Sequence, residues 1–141
     1  MAKNGPIILV EDDPDDQIII SDVLKHLQID NEIKIFGTAG DAWKYLINTP
    51  EEPFIVLCDV NLPGQNGLEF KRDVDAHPFL RKKSIPFIFL TTAASQYAVN
   101  DAYMHFSVQG FFQKPTSYDE FIEIIKMILR YWKHCKHPNN V

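Results

Sequence analysis

The chain has 141 residues, of which 45% are hydrophobic and 23% charged, a composition typical of a globular protein and not of a disordered or fibrous one. Its formal net charge of -5 argues against broad binding to nucleic acid, which needs a concentrated basic face. No apolar run approaches the roughly 20 residues that cross a bilayer, and the amino terminus lacks the apolar core of a secretion signal, so we expect a cytoplasmic protein without membrane contact.

The length predicts a single domain over residues 1–141. Its patterned core covers about residues 6–133, and residues 134–141 form a polar C-terminal tail. Cys58 and Cys135 lack the spacing of a redox motif or metal site, so we expect both thiols to be reduced.

The first predicted strand, Ile7–Val10, leads directly into an acidic segment. Pro14 suits the first turn of a helix, and apolar residues then recur at helical spacing, which predicts a helix from about Asp15 to Gln28. The acidic segment holds five carboxylates in six positions, Glu11, Asp12, Asp13, Asp15 and Asp16. We interpret Asp13 as the helix cap, and the last three of these acids as solvated charges at the helix start and not as ligands.

The third predicted strand is the most apolar. A second strand over Glu32–Phe36 and a helix from Thr38 to Thr49 precede it. Residues 54–58 are continuously apolar, as in a strand buried on both faces of a parallel sheet, and Asp59 is the first ionisable group at its carboxyl end. Open α/β sheets build their sites at this end, although an aspartate before Pro63 and Gly64 could equally open a turn.

The remaining elements continue the alternation of strands and helices. A weak helical pattern at Gly67–Val74 closes near Pro78, and a fourth strand, Ile85–Leu90, leads into Thr91 and Thr92. Further along the chain we predict a helix over Gln96–Phe106 and a strand over Gly110–Gln113, which Lys114 follows directly. Ser117 caps the last predicted helix, and Glu120 completes a capping box. We expect this helix to fray after Trp132.

Five β-α units in succession predict an α/β fold with a parallel sheet and helices on both faces. We expect the flavodoxin-like three-layer (βα)5 arrangement with strand order 2-1-3-4-5. The carboxyl ends of the strands then bring five polar residues to one edge, Glu11, Asp12, Asp59, Thr91 and Lys114.

Clustered carboxylates repel one another unless their pKa values rise or a cation binds. A hard divalent ion such as Mg²⁺, or Mn²⁺ in its place, fits oxygen ligands of this kind. Lys114 and a threonine hydroxyl could contact phosphoryl oxygens, which leaves Asp59 as a nucleophile able to form an acyl phosphate.

These residues resemble the receiver domain of two-component response regulators, and the resemblance covers nearly the whole chain. The matching segments are Ile8–Pro14, Asp59–Gly67, Pro86–Thr91 and Gly110–Pro115, in the order and spacing of that family.

The resemblance implies a role for each residue at the site. Asp59 would be the phosphoacceptor, Asp12 a direct metal ligand, and Glu11 an acidic neighbour that acts on the metal through water. The backbone carbonyl of Asn61 would be a third protein ligand, and Lys114 would form a salt bridge to the phosphoryl group. A cis peptide bond between Lys114 and Pro115 is also consistent with the family pattern.

The resemblance further implies a switch that reports phosphorylation. A threonine would move toward the phosphoryl oxygens, and Phe111 would turn inward behind it. Counting from Pro86 favours Thr91 as this threonine, whereas counting back from Lys114 favours Thr92. The phenylalanine replaces the more common tyrosine and removes a hydroxyl that could bond a partner.

The implied function is phosphoryl transfer from a sensor histidine kinase or a histidine phosphotransfer protein to Asp59, without turnover of an external substrate. With no output domain in the sequence, the signal would pass to a separate, unknown protein.

The last helix has more apolar residues than one face needs, notably Phe121, Ile125, Tyr131 and Trp132. We therefore also predict a homodimer through the fourth predicted helix, the fifth strand and the last helix.

Three other functions compete with this one. A phosphohydrolase that forms an aspartyl phosphate would need a second aspartate two residues after Asp59, where the chain has Asn61. A flavodoxin-type FMN-binding module would need a hydroxyl- and glycine-rich loop where the acidic segment lies. The third alternative is a receiver domain that acts only as an interaction module, independently of phosphorylation.

Overall fold

Short apolar segments with β-branched residues form the five strands of one parallel sheet, with neighbours in the order β2-β1-β3-β4-β5. The computed structural model describes residues 2–92, 96–105 and 109–136. The strands are β1 (Ile7–Val10), β2 (Ile33–Phe36), β3 (Ile55–Cys58), β4 (Phe87–Thr91) and β5 (Gly110–Gln113). The predicted strand order is confirmed.

A short 3-10 turn, Ala2–Asn4, precedes the sheet, and in the described part of the chain six α-helices connect or follow the strands. They are α1 (Pro14–His26), α2 (Ala39–Asn48), α3 (Gly67–Ala76), α4 (Pro78–Lys83), α5 (Gln96–His105) and α6 (Tyr118–His134). The fourth predicted helix is therefore α5, and Phe106, its expected last residue, lies outside the described residues. Within the described ranges, no helix has both the length and the apolar character that a bilayer crossing requires.

Helix α4 was not predicted. It has only six residues, too few to show a helical period, and it begins at Pro78 directly after α3 ends. The side chain of His77 accepts the backbone amide of Leu80, and the Leu80 side chain is buried, so both a cap and a core contact hold this turn.

Helices α1 and α6 differ from the prediction at their ends. Helix α1 begins at Pro14, as its cap Asp13 accepts the amide of Asp15, and ends at His26 because Gln28 has a positive φ of 55°. Helix α6 continues two residues past Trp132, to His134. The Ser117 side chain caps α6 by accepting the amide of Glu120.

Alternate residues of the central strands face two separate cores, which gives the predicted three layers. In β1, Ile7 and Leu9 point toward α1 and α6, whereas Ile8 and Val10 point toward α2, α3 and α4. Because β1, β3 and β4 are buried on both faces, their only polar side chain is Thr91, at the carboxyl end of β4. Polar side chains of the central sheet therefore lie at the carboxyl ends of these strands or in the residues that follow them.

Candidate functional site

Glu11 and Asp59 lie side by side because β1 and β3 are neighbours. The Asp59 amide donates to the carbonyl of Val10 at 2.9 Å, which continues the strand pairing one residue beyond β3. Glu11 and Asp59 are 1% and 6% exposed, and Asp12 is exposed. One carboxylate oxygen from each of these three residues lies within 4.8 Å of the other two. The convergence predicted from the strand order is therefore present.

The side chain of Lys114, the residue that follows β5, extends to this acidic cluster. Its amide donates to the carbonyl of Thr91 at 2.7 Å, which fixes the backbone beside β4. Its ammonium group donates to Glu11 at 2.5 Å, to Asp16 at 2.8 Å and to Asp59 at 3.1 Å. Since an ammonium group has three hydrogens, each has a carboxylate partner.

The interpretation of Asp16 as a solvated charge is wrong. Its side chain is 19% exposed and bonds Lys114 directly. Residue spacing gives no signal for this contact, because Asp16 lies in the first turn of α1 and its partner Lys114 lies 98 positions further along the chain. Asp13 and Asp15 are exposed, and the Asp13 carboxylate accepts the amide of Asp15 at 2.9 Å, as expected for a helix cap.

The ionisation of the cluster reflects burial and crowding. Burial raises the pKa of Glu11 to about 7, opposed by hydrogen bonds from Lys114 and the Asp13 amide and reinforced by the negative charge of Asp59. Burial by itself would lower the pKa of Lys114, but its hydrogen bonds to Asp16 and Glu11 outweigh this, so the pKa lies above its ordinary value. Lys114 is held as a cation.

The donor set fits a hard divalent cation. Glu11, Asp12 and Asp59 each offer a carboxylate oxygen to one cluster, and the ammonium group of Lys114 bonds Glu11, Asp59 and Asp16. Among these residues, four carboxyl groups outnumber one ammonium group. Burial is the main cause of the elevated pKa of Glu11, and the negative charge of Asp59 adds to it. Oxygen ligands of this type are those that Mg²⁺ and Mn²⁺ prefer.

The turn after β3 is shaped around Asp59. The backbone amide of Asn61 donates to the Asp59 carboxylate at 3.1 Å, and Gly64 has a φ of 72°, which an L side chain rarely adopts. The α carbon of Gly67 lies so close to this turn that an added Cβ would be 2.2 Å from the carbonyl oxygen of Asp59. Gly67 therefore lets α3 start directly against the backbone of Asp59.

The two candidate switch threonines differ in position. Thr91 is the last residue of β4 and is 1% exposed, and its hydroxyl oxygen accepts the side-chain amide of Asn61 at 3.2 Å. Thr92 is exposed. The structure thus brings Thr91, and not Thr92, to the site. Phe111 is half-buried, with its ring centroid 5.8 Å from that of Phe89.

The peptide bond between Lys114 and Pro115 is trans, so the cis bond considered from the family pattern is not found. The trans form is ordinarily favoured by about 0.5–1 kcal/mol before proline. With this bond trans, the amide and the ammonium group of Lys114 both make the contacts described above. Cys58 is buried and Cys135 partly buried, and both thiols are free, as expected.

Comparison with known proteins places this site in a family. Residues 7–126 match the family model described as the response regulator receiver domain. The chain is 28% identical over 131 residues to the response regulator Rcp1 of Synechocystis sp., covering 89% of this chain and 87% of Rcp1.

Solved structures agree with this assignment. The Mn²⁺-bound form of Rcp1 has a TM-score of 0.81 at 28% identity, over 94% of this chain and 98% of that one. The bacteriophytochrome response regulator AtBRR has a TM-score of 0.70 at 30% identity, over 86% and 89% of the two chains. The phosphorylated cyanobacterial phytochrome response regulator RcpA shares the fold, with a TM-score of 0.85 at 24% identity over 95% and 98%. The acidic pocket, its lysine and these matches agree, and the chain belongs to the response regulator receiver domain family.

Proposed function

We propose that Asp59 accepts a phosphoryl group from the phosphohistidine of a sensor histidine kinase or a histidine phosphotransfer protein. The observation that carries this proposal is the pairing of a buried aspartate with a buried lysine, Asp59 with Lys114, beside the carboxylates of Glu11 and Asp12. The phosphorylated state of the fold relative RcpA and the Mn²⁺-bound state of Rcp1 are consistent with it.

The reaction is an in-line displacement at phosphorus. A carboxylate oxygen of Asp59 forms a bond to phosphorus while the bond from phosphorus to the imidazole nitrogen breaks, and that nitrogen keeps the electron pair. The Lys114 ammonium group, already 3.1 Å from the Asp59 carboxylate, stabilises negative charge on the transferred oxygens. The hydroxyl of Thr91 can donate a further hydrogen bond, because in the structure its oxygen acts as an acceptor.

Asp12, Asp59 and the backbone carbonyl of Asn61 would hold a Mg²⁺ ion, with Glu11 acting on it through water. The ion would supply positive charge to neutralise phosphoryl oxygens during transfer. Mn²⁺ suits the same ligands. The group transfer is confined to the protein's own Asp59, since Asn61 lies where a phosphohydrolase of this type needs a second carboxylic acid.

The output surface is α5, β5 and α6. Phosphorylation would draw Thr91 toward the phosphoryl group and Phe111 inward, and the altered surface would signal to a separate protein. The same surface is proposed to form a homodimer, because it carries several exposed apolar side chains, Tyr103, Met104, Met127 and Tyr131. Phe121 and Ile125, considered for this role from the sequence, are buried in the core and are removed from it.

Intact-mass measurement after treatment with phosphoramidate and Mg²⁺ tests the acceptor. We expect the wild type to gain one phosphoryl group and Asp59→Asn to gain none, with Asp41→Asn, an exposed aspartate in the first turn of α2, as the matched control. Phosphoryl incorporation into Asp59→Asn at the wild-type level would contradict the assignment. Steady release of phosphate from external esters without accumulation on Asp59 would favour a phosphohydrolase.

A further inference from the structure

Asp16 contacts the site only through Lys114. Its carboxylate accepts the ammonium group at 2.8 Å, and at 19% exposure the side chain is largely shielded from water. Glu11 and Asp59 also bond this ammonium group, but both belong to the carboxylate cluster that fits a metal ion. Asp16 is not among the three carboxylates of that cluster, and the contact that the structure gives its side chain is the ion pair with Lys114.

The three contacts use the full bonding capacity of Lys114. An ammonium group has three hydrogens and no acceptor, and the three carboxylates accept all of them. A phosphoryl oxygen on Asp59 can therefore bind Lys114 only if one of these bonds is given up or shared. Asp59 loses its charge when it is phosphorylated, whereas Asp16 keeps its charge and remains a competitor for the ammonium group.

We propose that Asp16 is a positioning residue that holds the Lys114 ammonium group in the acidic pocket and competes with the incoming phosphoryl group for it. This inference rests on the proposed phosphoryl transfer to Asp59. Asp16 thereby slows phosphorylation and limits how strongly Lys114 binds the product. It acts through Lys114 and does not contact the phosphoryl group.

The alternative explanation of Asp16 is a favourable charge at the start of α1, with no consequence for Lys114. Asp15 serves as the matched control for that explanation. It lies in the same first turn of α1 and is also an aspartate, but it is exposed and is not one of the three carboxylates that bond Lys114. A general effect of negative charge on an anionic phosphodonor would appear in both Asp15→Asn and Asp16→Asn, whereas competition for the ammonium group would appear only in the second.

The experiment measures the rate at which phosphoramidate phosphorylates each protein at saturating Mg²⁺, followed by intact mass. We expect Asp16→Asn to react roughly five-fold faster than the wild type, a size typical of weakening one largely shielded charge-assisted hydrogen bond. Asp15→Asn should react within about two-fold of the wild type, as expected for an exposed charge. Unfolding curves of both variants establish that each is folded.

A second readout follows Lys114 itself. In a protein labelled with ¹⁵N at lysine, the Nζ resonance of Lys114, assigned with Lys114→Arg, should shift or broaden through faster hydrogen exchange in Asp16→Asn and remain unchanged in Asp15→Asn. A purely helix-capping role would leave this resonance in place in both variants.

The outcomes distinguish a failure of the role proposed for Asp16 from a failure of phosphoryl transfer to Asp59. If the wild type is phosphorylated but Asp16→Asn reacts no faster than Asp15→Asn, or if the Lys114 resonance is unaffected, the role of Asp16 is overturned and the proposed function stands. If the wild type takes up no phosphoryl group at all, the proposed function fails and the role of Asp16 fails with it.

Discussion

The side-chain amide of Asn61 donates a hydrogen bond to the hydroxyl oxygen of Thr91 at 3.2 Å. This contact joins the turn after β3 to the carboxyl end of β4 across the site, while the backbone amide of the same asparagine bonds the Asp59 carboxylate. Asn61 thus links Thr91 to Asp59, the proposed phosphoacceptor, and the Thr91 hydroxyl uses its oxygen and not its hydrogen in this contact. The contact gives a physical basis for coupling between Asp59 and Thr91.

The position of Thr91 predicts that it, and not Thr92, transmits phosphorylation. With the phosphoryl mimic beryllofluoride and Mg²⁺, Thr91→Ala should lose most of the amide chemical-shift changes in α5, β5 and α6, because the buried hydroxyl that meets the ligand is gone. Thr92→Ala, which alters an exposed side chain, should respond like the wild type. The reverse pattern would identify Thr92 as the switch.

The raised pKa of Glu11 predicts that metal affinity depends on pH. With a pKa of about 7, its carboxyl group is mostly protonated at pH 6 and mostly ionised at pH 8. Mg²⁺ affinity, measured by titration calorimetry, should therefore rise with pH over this interval, by up to about ten-fold if the proton and the metal exclude each other.

Two variants define the source of that dependence. Glu11→Gln has no titrating group at this position, so its weaker Mg²⁺ binding should be nearly flat between pH 6 and pH 8. Asp12→Asn removes a proposed direct ligand and should weaken binding at every pH. A Glu11→Gln protein that keeps the full wild-type pH dependence would show that another group is responsible.

The close approach of Gly67 to Asp59 predicts a stability effect. In Gly67→Ala the new methyl group would overlap the carbonyl oxygen of Asp59, so α3 or the turn must shift, at a cost of about 1–3 kcal/mol in the free energy of unfolding. Urea denaturation measures this cost. Gly40→Ala is the control. A Cβ added at Gly40 would lie 4.0 Å from its nearest atom, the hydroxyl oxygen of Thr38, so an alanine within α2 should stabilise the protein by about 0.5–1 kcal/mol.

The apolar surface of α6 predicts how the proposed homodimer can be disrupted. Met127 is 53% exposed and lines a groove with Phe112 and Tyr131, so Met127→Lys should convert a dimer to monomers in light scattering. Ile18→Lys changes a similarly exposed apolar residue on α1 and should leave the oligomeric state unchanged. Monomers of the wild type, with and without beryllofluoride, would refute the dimer.

The fold and most of the residues at the site could be predicted from the sequence alone. Continuous apolar segments predicted strands buried on both faces, and their alternation with amphipathic helices predicted the parallel sheet and its strand order. Because parallel strands present their carboxyl ends at one edge, the same pattern predicted that Glu11, Asp12, Asp59 and Lys114 meet. These results depend on local periodicity and topology, which a single sequence carries.

The tertiary structure alone decided which side chains contact one another at that edge. The bond between Asp16 and Lys114 joins residues 98 positions apart, and the choice of Thr91 over Thr92 depends on where β4 ends relative to Asn61. Helix α4 likewise is stabilised by burial of Leu80 and not by any period of its own. Such contacts depend on distances of a few ångströms between packed elements, and residue spacing along the chain does not determine them.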